Sequence, residues 1–389
     1  MLHTQACTRS CRPFPPAAYG RKATGLPHPV SDVIVVGAGI VGSSVAWRLA
    51  ERGTRVTLLD AGGMGCEASW AGAGMLAPGG EIDAPSPFAD FCIESLKLYP
   101  DFIAALESQS GTKIDFQEGG AVELALDKDE WSTLRARAET QKSLSIPSTV
   151  LEGADIRACA PLLRKPVAGA LYYPEDSHVD PRDVMKALRA ACLARGVTIL
   201  EGWPVASILG HAGAVELVGH RGKLSAGTAV LAAGAWSGGI SVAVNGVSQD
   251  LPATVPVKGH LLAYSLPANA LPSIIRHHNT YLLQRSTGFV VAGTSTERAG
   301  FDRSIDAGVV EGIRSRAEDL CPVLQTYGPP MPWIGFRPGL ETPETDGPCI
   351  RRLPDSNVWL AYGHYRNGIL LAPATARRVS EEIAGDGLA

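Results

Sequence analysis

The stretch from residue 33 to Asp60 constrains this chain most, because it contains every part of a βαβ unit. Residues 33–36 are four β-branched apolar residues, a pattern typical of a strand buried on both faces. A GxGxxG sequence follows at 37–42, then a helical pattern and a second apolar strand that ends on Asp60. The sequence therefore predicts a parallel sheet with a dinucleotide-binding turn after its first strand.

Each glycine of this turn has a separate expected role. Gly37 permits the tight turn, Gly39 lets the backbone approach a pyrophosphate, and Gly42 lets the helix pack closely on the strand. The phosphates are expected at the helix N-terminus, where Ile40 and Val41 offer backbone N–H groups. A GxGxxG alone is also compatible with an ordinary tight turn, and the complete unit is what favours a dinucleotide.

The acidic residue after the second strand bears on which dinucleotide binds. Asp60 lies eighteen residues after Gly42 and can accept hydrogen bonds from the hydroxyl groups of a ribose. A 2′-phosphate at that ribose would be repelled, so the acid favours FAD or NAD over NADP.

Composition narrows the class of protein further. A chain of 389 residues exceeds the size at which one hydrophobic core stops growing, so two intertwined domains are expected. A net charge of −4 argues against a nucleic-acid partner, and no apolar run is long enough to cross a bilayer. Eight scattered cysteines without a CxxC pair favour a reducing compartment, so we expect a soluble, cytoplasmic protein.

The first 29 residues differ in character from the rest of the chain. They are basic and rich in proline, and no acidic residue occurs before Asp32. They contain no apolar region of the kind that a secretory signal needs. A disordered extension is the simplest interpretation of residues 1–29, and an organelle transit peptide stays open.

The rest of the chain alternates between two patterns. Pieces at 180–200 and 229–237 are typical of a return to the first sheet, whereas strand-like runs within 255–337 indicate an antiparallel sheet. The predicted fold class is α/β, a Rossmann-type dinucleotide-binding domain with a second, antiparallel-sheet substrate domain. The predicted division assigns 30–90, 166–254 and 338–389 to the first domain, and 91–165 and 255–337 to the second.

Three later segments favour FAD over NAD. The run ASWAGAGML at 68–76 follows the acid, AAGAWS at 232–237 forms a second turn, and GHYRNGILLAP at 363–373 opens the last helix. Pro373 is expected in the first turn of that helix. The positive end of the helix could then face an anion such as the edge of a reduced flavin.

These segments resemble the D-amino-acid oxidase superfamily of flavoproteins, and within it the glycine oxidases of thiamine biosynthesis. The resemblance spans 32–382, with Tyr365 in place of a phenylalanine. It implies non-covalent FAD, because the cysteine of the related sarcosine oxidases is missing from 338–345. It also implies a substrate domain that caps the flavin, and a homotetramer.

The motif and the resemblance together predict the cofactor contacts. These are Gly37, Gly39, Ile40, Val41, Gly42, Asp60, Ser69, Ala71, Gly72, Ala73, Gly74, Met75, Val205, Ala233, Gly234, Trp236, His364, Arg366, Asn367, Gly368 and Ile369.

Two residues match the family's carboxylate-binding pair. Arg337, in GFRPG, matches the arginine whose planar fork grips the substrate carboxylate, and its alternative is a surface salt bridge. Tyr281 matches the tyrosine whose hydroxyl helps to hold that carboxylate, and its alternative is a core tyrosine.

Four further positions concern the surroundings of the substrate. Arg366 matches an arginine near the pyrimidine edge of the flavin, with an interdomain ion pair as the alternative, and Met75 borders the active site. Thr296 stands where glycine oxidases carry a methionine, which predicts a shift towards sarcosine or small D-amino acids. Asn279 falls where a histidine is expected.

The predicted function is the FAD-dependent oxidative deamination of glycine or a small analogue. Its partners are the amino acid and oxygen, and its products are an imine and hydrogen peroxide, then glyoxylate and ammonia, with the imine a possible supply for thiamine biosynthesis. A dehydrogenase with another electron acceptor, a tRNA-modifying oxidase and a flavin-binding protein without turnover stay open. His277, His278 and His364 are not spaced as a metal-binding set, so no metal is expected.

Overall fold

The computed structural model describes residues 31–211, 213–341 and 347–385, so the predicted extension at 1–29 lies outside the described residues. The helices, α1 to α8 in chain order, are Ile40–Glu51, Ala68–Ala71, Pro87–Ser110, Lys128–Lys142, Ala154–Cys159, Pro181–Ala194, Ala307–Leu320 and Gly368–Gly385. The strands, β1 to β21 in chain order, are Ser31–Val36, Val56–Leu59, Met75–Leu76, Phe116–Gln117, Ala121–Ala125, Thr149–Leu151, Gly169–Tyr173, Ser177–Val179, Thr198–Leu200, Val205–His211, Ala214–Gly219, Gly222–Leu231, Ser241–Val244, Val247–Ser248, Thr254–Ser265, Ile274–His277, Thr280–Gln284, Phe289–Gly293, Met331–Leu340, Cys349–Arg352 and Val358–Tyr362.

The predicted βαβ unit lies at the centre of a ten-stranded sheet. Strand β1 pairs in parallel with β2 on one side and with β12 on the other, and β12 also pairs in parallel with β21. Helix α1 ends at Glu51, and Gly53 follows it with φ +84°, which accommodates the left-handed turn without a side chain. Apolar residues on both faces of β1 are buried, as a doubly covered parallel strand requires.

A second sheet has eight strands in the order β19-β15-β18-β17-β16-β5-β7-β6. Every pairing in it is antiparallel except that of β16 with β5. Strands β15 and β19 pair continuously from Thr254 opposite Leu340 to Ala263 opposite Met331. The prediction of an α/β fold with a second, mostly antiparallel sheet is therefore confirmed.

Two segments, α3 and β7, pack with the sheet of the other domain rather than with the sheet of the domain to which the sequence assigned them. Helix α3, expected in the substrate domain at 91–165, buries Tyr99, Phe102 and Leu106 in the core that contains β1 and α1. Strand β7, expected in the dinucleotide-binding domain at 166–254, pairs instead with β5 of the second sheet. An amphipathic helix or a short apolar strand indicates that a face is buried, but not which layer buries it. The remaining division into domains stays a prediction.

Pro373 lies inside helix α8 rather than in its first turn, because the helix already begins at Gly368. Proline has no N–H to donate, so the carbonyl of Ile369 loses its partner four residues on. The hydroxyl of Tyr99 donates to that carbonyl at 2.7 Å and replaces the missing bond. Packing against α3 thus permits a proline that the local rule places elsewhere. No helix in the described ranges has both the length and the apolar character needed to cross a membrane.

Candidate functional site

A cleft of about 1870 Å³ contains residues from both sheets. Pockets for drug-sized ligands measure roughly 300–1,000 Å³, so this cleft has room for a dinucleotide and a small substrate together. Every predicted site residue except Gly42 lines it. These are Gly37, Gly39, Ile40, Val41, Asp60, Ser69, Ala71, Gly72, Ala73, Gly74, Met75, Val205, Ala233, Gly234, Trp236, Tyr281, Thr296, Arg337, His364, Arg366, Asn367, Gly368 and Ile369.

The turn after β1 requires its glycines. Gly37 has φ +104°, and a Cβ there would lie 2.3 Å from the carbonyl oxygen of Ala232, the residue after the neighbouring strand β12. A Cβ on Gly42 would lie 2.0 Å from the carbonyl oxygen of Gly37, which explains why Gly42 packs behind the turn and does not line the cleft. The tight backbone packing of this turn therefore requires glycine at both positions.

The N-terminus of helix α1 is suited to an anion. Its N-cap residue, Gly39, has no side chain to cap it, and its first turn contains no acidic residue. Its positive end is therefore available to a phosphate. One of the two predicted donors is already engaged, because the N–H of Ile40 donates to Ser69 Oγ at 2.9 Å.

The Asp60 carboxylate is anchored by the backbone. Its Oδ2 accepts from the N–H of Ala38 and its Oδ1 from the N–H of Gly62, both at 2.8 Å. Burial raises the pKa of Asp60, and these two hydrogen bonds oppose that effect by stabilising the charged form. A carboxylate has about four acceptor positions, so two remain for the hydroxyl groups of a ribose.

The predicted segment at 363–373, which opens α8, contains a buried histidine. His364 Nε2 lies 3.0 Å from Thr375 Oγ1. Burial lowers the pKa of His364 to about 3, so the ring is neutral at neutral pH. The first turn of α8 contains no acidic residue, which leaves its positive end uncompensated by the chain itself.

Arg337 is held by backbone and hydroxyl groups rather than by a carboxylate. Its Nη1 donates to the carbonyl of Ser295 at 3.0 Å and its Nη2 to Thr294 Oγ1 at 2.8 Å. The guanidinium lies directly over Gly259 of the facing strand, where a Cβ would be 2.3 Å from Nη1. Within the described ranges no Asp or Glu pairs with it, so the predicted alternative of a surface salt bridge does not apply there. Its charge is available to a ligand.

Tyr281 lies on β17 opposite Gly293, where a Cβ would be 2.3 Å from the tyrosine hydroxyl. The side chain is buried, and this burial raises its pKa to about 12, although the positive charge of Arg337 acts in the opposite direction. The hydroxyl therefore keeps its proton at neutral pH and can donate a hydrogen bond. Arg337 and Tyr281 come from different strands of one sheet and line one cleft.

Arg366 forms an ion pair with Glu81, but within one predicted domain (30–90 and 338–389) rather than between the two, so it is not the predicted interdomain pair. Its Nε lies 2.7 Å from Glu81 Oε2, and the arginine side chain is half exposed. Burial raises the pKa of Glu81, while Arg366 and Arg276 oppose that shift. Glu81 lines the cleft as well, and no local pattern around it distinguishes this acid from a surface residue.

Two further features of the cleft were missed. The first is Thr294, whose hydroxyl accepts a hydrogen bond from Arg337. It lies in the same polar run, GTST at 293–296, as the predicted Thr296. The second is a buried charge network in which Arg276 pairs with Glu123 and with Asp176, both at 2.7 Å. Arg276 is separated from each of the two acids by 100 or more residues, so no local pattern connects it to them.

The fold and the cleft define the class: an enzyme with a dinucleotide cofactor, in which both sheets contribute residues to one cleft. The sequence matches the DAO family of FAD dependent oxidoreductases over residues 32–382, and the chain belongs to that family. Its cofactor is therefore FAD, and the glycine turn, the start of α1 without an acidic residue and the anchored Asp60 fit such a group.

Several curated proteins and solved structures are similar to the chain. Glycine oxidase of Bacillus licheniformis is 31% identical over 357 residues, which cover 91% of this chain and 93% of that protein. The bifunctional protein ThiO/ThiG of Synechocystis is 33% identical over 362 residues, which cover 91% of this chain and 51% of that protein. The crystal structure of glycine oxidase from Geobacillus kaustophilus matches with a TM-score of 0.84 at 28% identity, covering 92% of this chain and 96% of that one.

Proposed function

We propose that this protein catalyses the oxidative deamination of glycine or a small analogue, with oxygen as the electron acceptor. The observation that carries the proposal is Arg337, a guanidinium with no carboxylate partner among the described residues, in one cleft with the protonated Tyr281. Similarity to glycine oxidases over nine-tenths of the chain supports the same reaction.

In this proposal the chain's own residues bind and orient the substrate. Arg337 keeps N–H groups beyond the two that hold it, and these grip the substrate carboxylate. Tyr281 donates its hydroxyl hydrogen to the same carboxylate. Fixing one end of so small a molecule restricts where its α-carbon lies, which lowers the entropy cost of the reaction.

The overall reaction balances as follows. Bound FAD would supply the redox chemistry that couples the two-electron oxidation of the amine to the reduction of oxygen. The amine loses two electrons and two protons to become an imine, and oxygen gains both as hydrogen peroxide. Water then converts the imine of glycine into glyoxylate and ammonia. Similarity to the ThiO half of bifunctional ThiO/ThiG proteins supports a supply of this imine to thiamine biosynthesis.

Thr296 and Met75 set the preference among amines in this proposal. Both line the cleft, and Thr296 is the second residue after Thr294, which holds Arg337. A threonine is smaller and more polar than a methionine, so the substrate region accepts sarcosine or small D-amino acids besides glycine.

Three other features belong to the proposal. Cys92, Cys159, Cys192 and Cys321 are free thiols, which supports the cytoplasm as the compartment. The second feature is the division into two domains at the predicted boundaries, with α3 and β7 reassigned. The third is a homotetramer. Light scattering on the purified protein measures the last of these directly.

The test is hydrogen peroxide production by FAD-loaded protein with glycine, sarcosine, D-alanine, D-proline and the L-forms of the chiral ones. We expect turnover with glycine or sarcosine and none with the L-amino acids. Bleaching of the flavin by substrate under nitrogen, without peroxide in air, would replace oxygen by another acceptor. If no amine produced either hydrogen peroxide or bleaching of the flavin, the proposal would be overturned.

A further inference from the structure

Two adjacent histidines and a glutamate meet at the rim of the cleft. His277 ends β16, and His278 begins the two-residue turn that leads to β17. His277 Nε2 lies 3.1 Å from Glu130 Oε2, and His278 Nε2 lies 2.8 Å from Glu130 Oε1. Glu130 belongs to the first turn of α4, nearly 150 residues earlier, and both it and His278 line the cleft.

The backbone conformation brings both rings to the same side. In a regular strand, consecutive side chains point to opposite faces of the sheet, so adjacent histidines would diverge. His278 has φ +50°, the left-handed region, which interrupts this alternation. The two ring centroids are therefore only 4.2 Å apart, and both Nε2 atoms face one carboxylate.

The charge and the second shell of this cluster suit a divalent cation. Among the described residues, no lysine or arginine pairs with Glu130, whose hydrogen-bond donors are the two histidines and the N–H of Leu126, at 2.7 Å. A backbone donor that orients a carboxylate is the kind of outer partner that metal ligands use.

The separations also suit zinc. Ligand bonds of about 2.0–2.2 Å in a tetrahedron place neighbouring ligand atoms about 3.3 Å apart. The three ligand atoms lie within 4.8 Å of one another, and the two carboxylate oxygens of Glu130 lie 2.8 and 3.1 Å from the two rings, so side-chain movements of up to about 1.5 Å bring them to this spacing. Each ring must then present a lone pair at Nε2, which a move of its hydrogen to Nδ1 allows without a change of charge.

We propose that Glu130, His277 and His278 form a zinc-binding site at the rim of the cleft. Two imidazoles and one carboxylate are a ligand set that zinc uses, and three protein ligands leave one position for water or for a carboxylate that enters the cleft. The bound ion joins α4 to the turn that precedes Tyr281 by three residues. The proposal departs from the sequence-based expectation of no metal, which rested on the spacing of His277, His278 and His364 and did not include Glu130.

The experiment is equilibrium dialysis of the FAD-loaded, full-length protein against Zn²⁺, with the bound metal measured per chain. We expect wild type to bind one zinc ion per chain. The affinity of His278→Ala and of Glu130→Gln for zinc should be lower by more than about tenfold, because even the outer hydrogen-bond partners of metal ligands contribute 10–100-fold to metal affinity. His278 is exposed, so its replacement leaves the fold intact, and His211→Ala, at an exposed histidine of β10, is the matched control and should bind as wild type does.

Either of two results would overturn this proposal. One is wild-type protein that binds no zinc at millimolar free metal, and the other is equal binding by wild type and His278→Ala, which would locate the ion elsewhere. The measurement has no catalytic readout, so its outcome is independent of whether the protein oxidises glycine.

Discussion

Replacement of Arg337 by methionine tests the substrate-binding proposal most directly. Methionine keeps much of the side-chain length and removes the charge and every N–H group. The wild-type guanidinium uses one N–H on Ser295 and one on Thr294, which leaves a pair for the substrate carboxylate. A hydrogen bond to a charged group contributes about 1.5–3 kcal/mol, so two of them amount to about 3–6 kcal/mol. At 1.36 kcal/mol per factor of ten, kcat/KM should fall by about 10² to 10⁴.

The division of this loss between KM and kcat is also predicted. The carboxylate does not react, so it is bound similarly in the ground state and in the transition state, and most of the loss should appear as a higher KM. Steady-state peroxide assays with the preferred amine measure both constants. The flavin content of the purified variant should equal that of wild type, because the fork contacts Ser295 and Thr294 and not the glycine turn.

Arg303 provides the matched control. It lines the same cleft, but its Nη2 pairs with Glu67 at 2.7 Å, and both side chains are partly exposed. An exposed pair of this kind contributes little, so Arg303→Met should leave kcat/KM within a few-fold of wild type. A change of less than tenfold in Arg337→Met, or an equal loss in both variants, would refute the assignment of Arg337 to the carboxylate.

Three further outcomes are expected. Gly42→Ala should be purified without flavin, because its Cβ would lie 2.0 Å from a backbone oxygen, whereas Gly239→Ala, with no atom within 4 Å of the new Cβ, should stay yellow; retained flavin in Gly42→Ala would contradict the account of the turn. Thr296→Met should raise the ratio of kcat/KM for glycine over sarcosine by about tenfold, the scale of a methylene-sized change in a pocket, and an unchanged ratio would remove Thr296 from the specificity region. Burial lowers the pKa of His364 to about 3 in the folded state, so the unfolded state binds more protons below pH 6.5, and thermal stability should fall from there towards pH 3, by up to about 1.4 kcal/mol per pH unit for this one group. The same scans on His364→Asn should show a shallower slope, and identical slopes would show that His364 is not the titrating group.

Local backbone chemistry made much of the fold and half of the site predictable. Only glycine accommodates the positive φ at position 37 and the close contact at position 42, so the spacing of Gly37 and Gly42 can be recognised in the sequence alone. The same holds for Asp180, whose side chain caps α6 by accepting from the N–H of Arg182. The family motif at Arg337 rests on equally local signals.

What the sequence determined, then, is a set of features whose physical cause lies within a few residues: the dinucleotide turn, the cap of α6 and the acid after β2, but not the start of α8 relative to Pro373. Only the tertiary structure decided that α3 packs on the first layer and that Arg366 pairs with Glu81. It also decided that Glu130 meets two histidines nearly 150 residues later. Packing and charge pairing act between groups that are close in space, and the sequence around one residue does not indicate which distant residue it will contact.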